Sequence, residues 1–166
     1  MSMQDIINVI RKKQDKNVYI GQGEFIDFKC KLNKPANNSD IESFEKSIKF
    51  KIPSDYKEFL LQSNGLTFFD SGDFEIFDLQ TVLDITPSMG YINSVYIIGS
   101  FLQDYIVIDS RKISTEKYLY VGPQILSDRF ISLEHNFKEL LERLLITNVQ
   151  KYWDWNANVE YHNFSK

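Results

Sequence analysis

A chain of 166 residues that is 43% hydrophobic and 25% charged has the size to bury a core of its own and lacks the bias of a disordered or fibrous sequence. Its net charge is −4 and no run approaches the roughly 20 apolar residues that cross a bilayer, so it is expected to bind neither nucleic acid nor membrane. A single cysteine, Cys30, cannot form an internal disulfide, and Met1-Ser2-Met3-Gln4-Asp5 lacks the pattern of a signal peptide, so a cytoplasmic location is expected.

Met3, Ile6, Ile7 and Ile10 recur at helical spacing, and Arg11, Lys12 and Lys13 follow where the helix dipole favours cations, which predicts a first helix. Val18-Tyr19-Ile20 and Phe25-Ile26-Asp27-Phe28 read as a hairpin across Gly21-Gln22-Gly23-Glu24. The lone Gly-x-Gly there lacks the third glycine and the following helix of a dinucleotide site. After a polar linker around Pro35-Ala36-Asn37-Asn38, Ser39 and Glu42 have the spacing of a capping box for a helix with Ile41, Phe44 and Ile48 on one face. The stretch from Ile52 to Leu66 is the most legible. Pro53 suits a first helical position, Asp55 lies against the positive end of the dipole, and Tyr56, Phe59 and Leu60 share one face. Asn64-Gly65 is expected to stop this helix, with Leu66 packing back on its last turn.

Ser71-Gly72-Asp73 marks a turn, and Phe74 to Leu79 alternates as a half-buried strand. Gln80 to Ile85 is open between a short helix and irregular chain, and Thr86 to Gly90 reads as a loop. Ser94 to Ile98, Asp104 to Asp109 and Tyr118 to Val121 are three more strands, with Gly99-Ser100 among the separators. Consecutive strands with short connections imply an antiparallel meander. Asn136 is placed to cap a helix carrying Phe137, Leu140, Leu141, Leu144 and Leu145 on the face that docks on the sheet. The tail from Val149 carries Tyr152, Trp153, Trp155, Tyr161 and Phe164, and is expected to pack back on the fold, a docking surface being the alternative. The fold class that results is α+β, an antiparallel sheet meander packed against flanking helices in one domain.

The run apolar-Pro-x-Asp-Tyr-Lys-x-Phe-Leu at residues 52–60, followed by Asn64-Gly65, resembles the signature of the SUKH superfamily, which includes bacterial toxin-immunity proteins and fungal cell-wall assembly regulators. The helix pair around Pro53-Ser54-Asp55-Tyr56, the apolar strand Ile106-Val107-Ile108-Asp109 and the Phe-x-x-Leu-Leu helix at Phe137 extend the resemblance over roughly Ser39 to Leu145. The resemblance implies binding and neutralisation of a cognate polymorphic toxin, such as a basic nuclease, by a protein with no chemistry or cofactor of its own. A regulatory adaptor of the cell-wall type is the alternative.

The residues themselves offer no strong catalytic constellation. The only histidines are His135 and His162, no Gly-x-Ser-x-Gly elbow occurs, and no metal or nucleotide motif is present. Asp70, Asp73, Glu75 and Asp78 crowd together, which leaves a carboxylate hydrolase using two of them as a weaker rival, to be tested by removing Asp73 or Asp78. From Thr67 to Ser110 there are seven acids and no Lys, Arg or His, whereas the remaining chain is +3. If these acids converge, they form a negative patch that steers a basic partner; if they diverge, they only keep the protein soluble. The candidate partner-binding residues are Asp70, Asp73, Glu75, Phe77, Asp78 and Asp104. Phe77 shares the face of Glu75 by alternation and is the candidate apolar anchor, a second buried layer being the other reading of it.

Overall fold

In the computed structural model, residues 1–155 and 158–166 are described. Helix α1 (Met3–Lys13) starts with a reciprocal cap, in which the Ser2 hydroxyl accepts from the Asp5 amide and the Asp5 carboxylate accepts from the Ser2 amide. It buries Met3, Ile6, Ile7 and Ile10, as their spacing predicts. Strands β1 (Asn17–Gly21) and β2 (Glu24–Asp27) form a separate hairpin, with Gln22 and Gly23 in the left-handed region that a tight two-residue turn requires.

Among the described residues the main sheet has eight strands, β3 (Cys30–Leu32), β4 (Leu66–Phe68), β5 (Phe74–Ile76), β6 (Val95–Phe101), β7 (Asp104–Asp109), β8 (Leu119–Pro123), β9 (Phe130–Ser132) and β10 (Tyr161–His162). Their spatial order is their chain order, and each pairs antiparallel with its neighbour. This is the expected meander, carried further in both directions. Gly99-Ser100 does not separate strands; a register shift between Ile97 and Gly99 keeps both inside β6. Any Cβ at Gly99 would lie 2.5 Å from the Glu75 carbonyl oxygen, so the close approach of β5 requires glycine there.

Pairing sorts the side chains by face. Leu66, Ile76, Ile106, Val121 and Ile131 are cross-strand partners on one face; Thr67, Glu75, Ser100 and Tyr105 occupy the other. The first face is covered by α2 (Asn38–Ile48), α3 (Ser54–Leu60) and α5 (Phe137–Ile146), with Phe44 of α2 edge-on to Tyr96 and a cluster of Tyr56, Phe59 and Phe137 between α3 and α5. On the second face Tyr91 and Phe164 pack on Phe130, and Phe164 also meets Tyr120.

Three helix ends differ from expectation, the first being that Pro53 is the N-cap of α3, whose first helical residue is Ser54. The box that starts α2 is made by Asn37 and Asp40, not Ser39 and Glu42, because Asn37 is already extended and its side chain reaches the Asp40 amide. Helix α3 stops at Leu60. Asn64-Gly65 serves instead as the junction into β4, where the Asn64 side chain accepts from the Leu79 amide and Gly65 takes a positive φ against the backbone of Ile76 and Asp78. Leu66 is therefore a strand residue rather than a helix-end contact. The open stretch resolves as α4 (Leu79–Ile85), with Thr86–Met89 continuing as a 3-10 turn.

Asp55 joins two helices far apart in the chain. Its carboxylate accepts from the Tyr118 hydroxyl and, at 2.8 Å, from the Lys138 amide in the first turn of α5, while the Tyr118 hydroxyl accepts from the Phe137 amide at 3.0 Å. A negative charge at a helix N-terminus satisfies amides that have no intrahelical partner. Burial and the Asp55 charge push the Tyr118 hydroxyl pKa well up, so it stays protonated and donates.

Candidate partner-binding surface

Antiparallel order places three turns at one end of the sheet: residues 69–73, 102–103 and 124–129. They are tied together, the Leu102 amide donating to the Asp73 carbonyl at 2.6 Å and the Gln124 amide to the Gln103 carbonyl at 3.0 Å. Asp70 and Asp73 are exposed here, beside the exposed side chains of Leu102, Ile125 and Leu126. Asp104 begins β7 at the same end, in register with Phe101 and, through it, Phe74. Its carboxylate is not free: it accepts from the Trp153 indole N–H at 3.1 Å and pairs with the Lys151 ammonium at 2.9 Å. Asp104 therefore anchors the tail.

The other three residues of the set lie apart. Glu75 is half-buried on the sheet face opposite Asp104, where the Thr67 hydroxyl reaches it. Phe77 and Asp78 lie beyond the far end of β5, since the strand stops at Ile76 rather than running to Leu79, which instead opens α4. Phe77 is buried and its amide donates to the Ile98 carbonyl, which matches the buried-layer reading. Asp78 is the N-cap of α4, accepting from the Thr81 amide at 3.0 Å and the Thr81 hydroxyl at 2.8 Å. Asp109, the acid that ends the apolar strand, is buried and bound by the Arg111 guanidinium. Sequence proximity grouped acids that strand alternation and strand length then separate.

The tail packs as a strap around the sheet edge and also exposes aromatics. Trp153 is buried against Phe101, with ring centroids 6.0 Å apart, and Phe164 is buried on the other face, while Trp155 and Tyr161 stay exposed. Between strap and sheet lies a groove of about 460 Å³ floored by Val121 and Ile131 and walled by Leu126, Trp153, Val159 and Tyr161. The Arg129 guanidinium lies 5.3 Å from the Tyr161 ring centroid. Leu126, Arg129 and Val159 were not singled out from the sequence. The signal was there in Ile125-Leu126, two apolar residues in a turn after Gly122-Pro123.

His135 is a buried joint. Its Nδ1–H donates to the Asn136 carbonyl, so Nε2 accepts from the Tyr152 hydroxyl at 2.6 Å, and burial pulls its pKa down to about 4. The Cys30 thiol is pushed up to about 12 by burial and is unreactive at neutral pH. Among the described residues no helix is long and apolar enough to cross a membrane.

The fold is thus a small α+β domain whose strands run in chain order and whose candidate surface is a turn-lined sheet end with an adjoining groove. The chain belongs to the SMI1/KNR4 family (SUKH-1), whose model matches residues 35–143. It is similar to the uncharacterized protein YnaB of Bacillus subtilis strain 168, 30% identical over 128 residues that cover 76% of this chain and 88% of the relative. It is also similar to the uncharacterized protein YobM of the same strain, 25% identical over 163 residues covering 89% and 86%. The Pro-x-Asp-Tyr signature has a structural role here, since Asp55 and Tyr56 hold α3 to α5.

Proposed function

We propose that this protein is a non-catalytic immunity protein that binds a cognate protein toxin in the cytoplasm and neutralises it. The observation that carries this reading is membership of SUKH-1 across residues 35–143. The sheet end supports it physically. A stable protein complex buries about 1,200–2,000 Å² in total, and the three turns supply exposed apolar side chains for its centre with Asp70 and Asp73 at the rim. Rim acids of this kind speed encounter with a basic partner such as a nuclease toxin.

A regulatory adaptor of the cell-wall assembly type is the second reading, favoured by the same family match and distinguished by the absence of a toxin gene beside this one. A carboxylate hydrolase finds little support. Of the four acids in that rival, Asp78 is engaged as the N-cap of α4 and Glu75 is reached by the Thr67 hydroxyl, which argues against their use as free catalytic carboxylates. The test is co-expression with the protein encoded immediately upstream: growth arrest by that protein, relieved by this chain, is expected. Arrest that persists with this chain present and folded would refute neutralisation of that partner.

A further inference from the structure

We infer that the groove between the C-terminal strap and strands β8 and β9 is the anchoring site for the toxin, taking an apolar side chain flanked by lysine or arginine. This rests on the immunity reading above and names the surface it uses.

The groove is built before any partner arrives. At one end Asp104 holds Trp153 and Lys151; at the other, the Phe164 amide donates to the Ser127 carbonyl at 2.9 Å and the Phe164 ring packs against Tyr120 and Phe130. Side chains anchored in this way, Trp153 on one side and Phe164 on the other, have little conformational freedom left to lose on binding. Around it Leu126, Val159 and Tyr161 remain 43%, 41% and 56% exposed. Single exposed apolar side chains are ordinary, but three converging on one concavity mark a recognition site. An adjoining hollow of about 280 Å³ shares Ile131 and Trp153 and carries the exposed Trp155.

Charge selects the partner. Asp104 and Lys151 cancel each other, and Arg129 lies against Tyr161 as part of the wall. The exposed acids left on this end of the molecule are Asp70, Asp73, Asp128 and Asp154, the last of them lining the groove. Their excess over Arg129 and over Arg143, which lines the adjoining hollow, favours a basic partner, as a toxin that must hold nucleic-acid phosphates would be. Trp153, Asp154, Val159 and Tyr161 lie outside residues 35–143, the part that the family model matches.

The probe is the purified toxin domain of the protein encoded immediately upstream, with association and dissociation rates measured on the full chain. Leu126→Ser with Tyr161→Ser is expected to raise the dissociation rate by about tenfold or more. Asp154→Lys should slow association at low salt, and Ile146→Ser, which removes an even more exposed apolar side chain on α5, should alter neither rate. In parallel, oxidative footprinting of the parent complex should protect Tyr161 and Trp155, which covers the case in which the double variant fails to fold. Unchanged dissociation in a folded double variant, or unprotected Tyr161 and Trp155, would overturn the groove as anchor while leaving immunity intact. No binding by the parent would overturn both.

Discussion

Replacing Asp55 with alanine tests the joint on which the family signature depends. The change removes the acceptor of two hydrogen bonds from distant parts of the chain, the Tyr118 hydroxyl and the Lys138 amide, and a third from the adjacent Tyr56 amide. Bonds to an ionised group are worth about 1.5–3 kcal/mol each, and the partial exposure of Asp55 argues for the lower end, since water can reach the vacated amide. The expected loss is therefore roughly 3–5 kcal/mol, a large part of the 5–15 kcal/mol that an ordinary domain possesses. Chemical denaturation with an unchanged m-value is the assay, repeated for Tyr118→Phe and for the double variant. Coupling above about 1 kcal/mol is expected, because the Tyr118 hydroxyl donates to the Asp55 carboxylate and both serve one helix terminus. A loss under about 1 kcal/mol for Asp55→Ala, or strict additivity with Tyr118→Phe, would refute the joint.

Phe59→Ala, which empties the fully buried cluster with Tyr56 and Phe137, should cost roughly 3–5 kcal/mol by denaturation. Deleting the chain after Asn148 should lower Tm by roughly 10 °C, since Trp153 and Phe164 lose their burial and Asp104 its partners; an unchanged melt would mean that the strap serves only a partner. His135 binds its proton more weakly in the folded state, at about 4, than in the unfolded chain. Its contribution is therefore complete above about pH 6.5 and is lost as the pH falls toward 4, by an amount on the order of 3 kcal/mol; His135→Gln should flatten that part of the stability profile. Changing Asp70 and Asp73 to asparagine should slow association with the toxin at low salt, leave the complex lifetime unchanged and lose its effect at high salt.

The helices were legible because their signals are local. The stripes of α1 and α5, the Asn136 cap and the buried face of α3 all stand as their spacing and capping residues predict. Short strands were less so: β3, β4, β9 and β10 have only two or three residues each, too few to establish a period, and they become strands by pairing with distant segments. Asn64-Gly65 misled for a related reason, because a left-handed glycine ends a helix and enters a strand equally well, and the choice is made by β5 packing against it. The acidic run was plain in the sequence, but its geometry was not. Strand alternation separates Glu75 from Asp104, and Asp78 is consumed by a helix cap. The groove was hidden for the opposite reason, since its walls come from β8, the turn after it, and the strap, which only the folded sheet edge brings together.

The central claim, neutralisation by binding alone, is tested most directly by titrating this protein into the purified toxin domain encoded upstream while following toxin activity and toxin mass. Activity should fall to zero at one molar equivalent, the toxin's mass should not change, and active toxin should be recovered once the complex is dissociated. Inactivation at far less than one equivalent with an altered toxin mass would show a catalyst, and full activity at excess would show that this toxin is not its target.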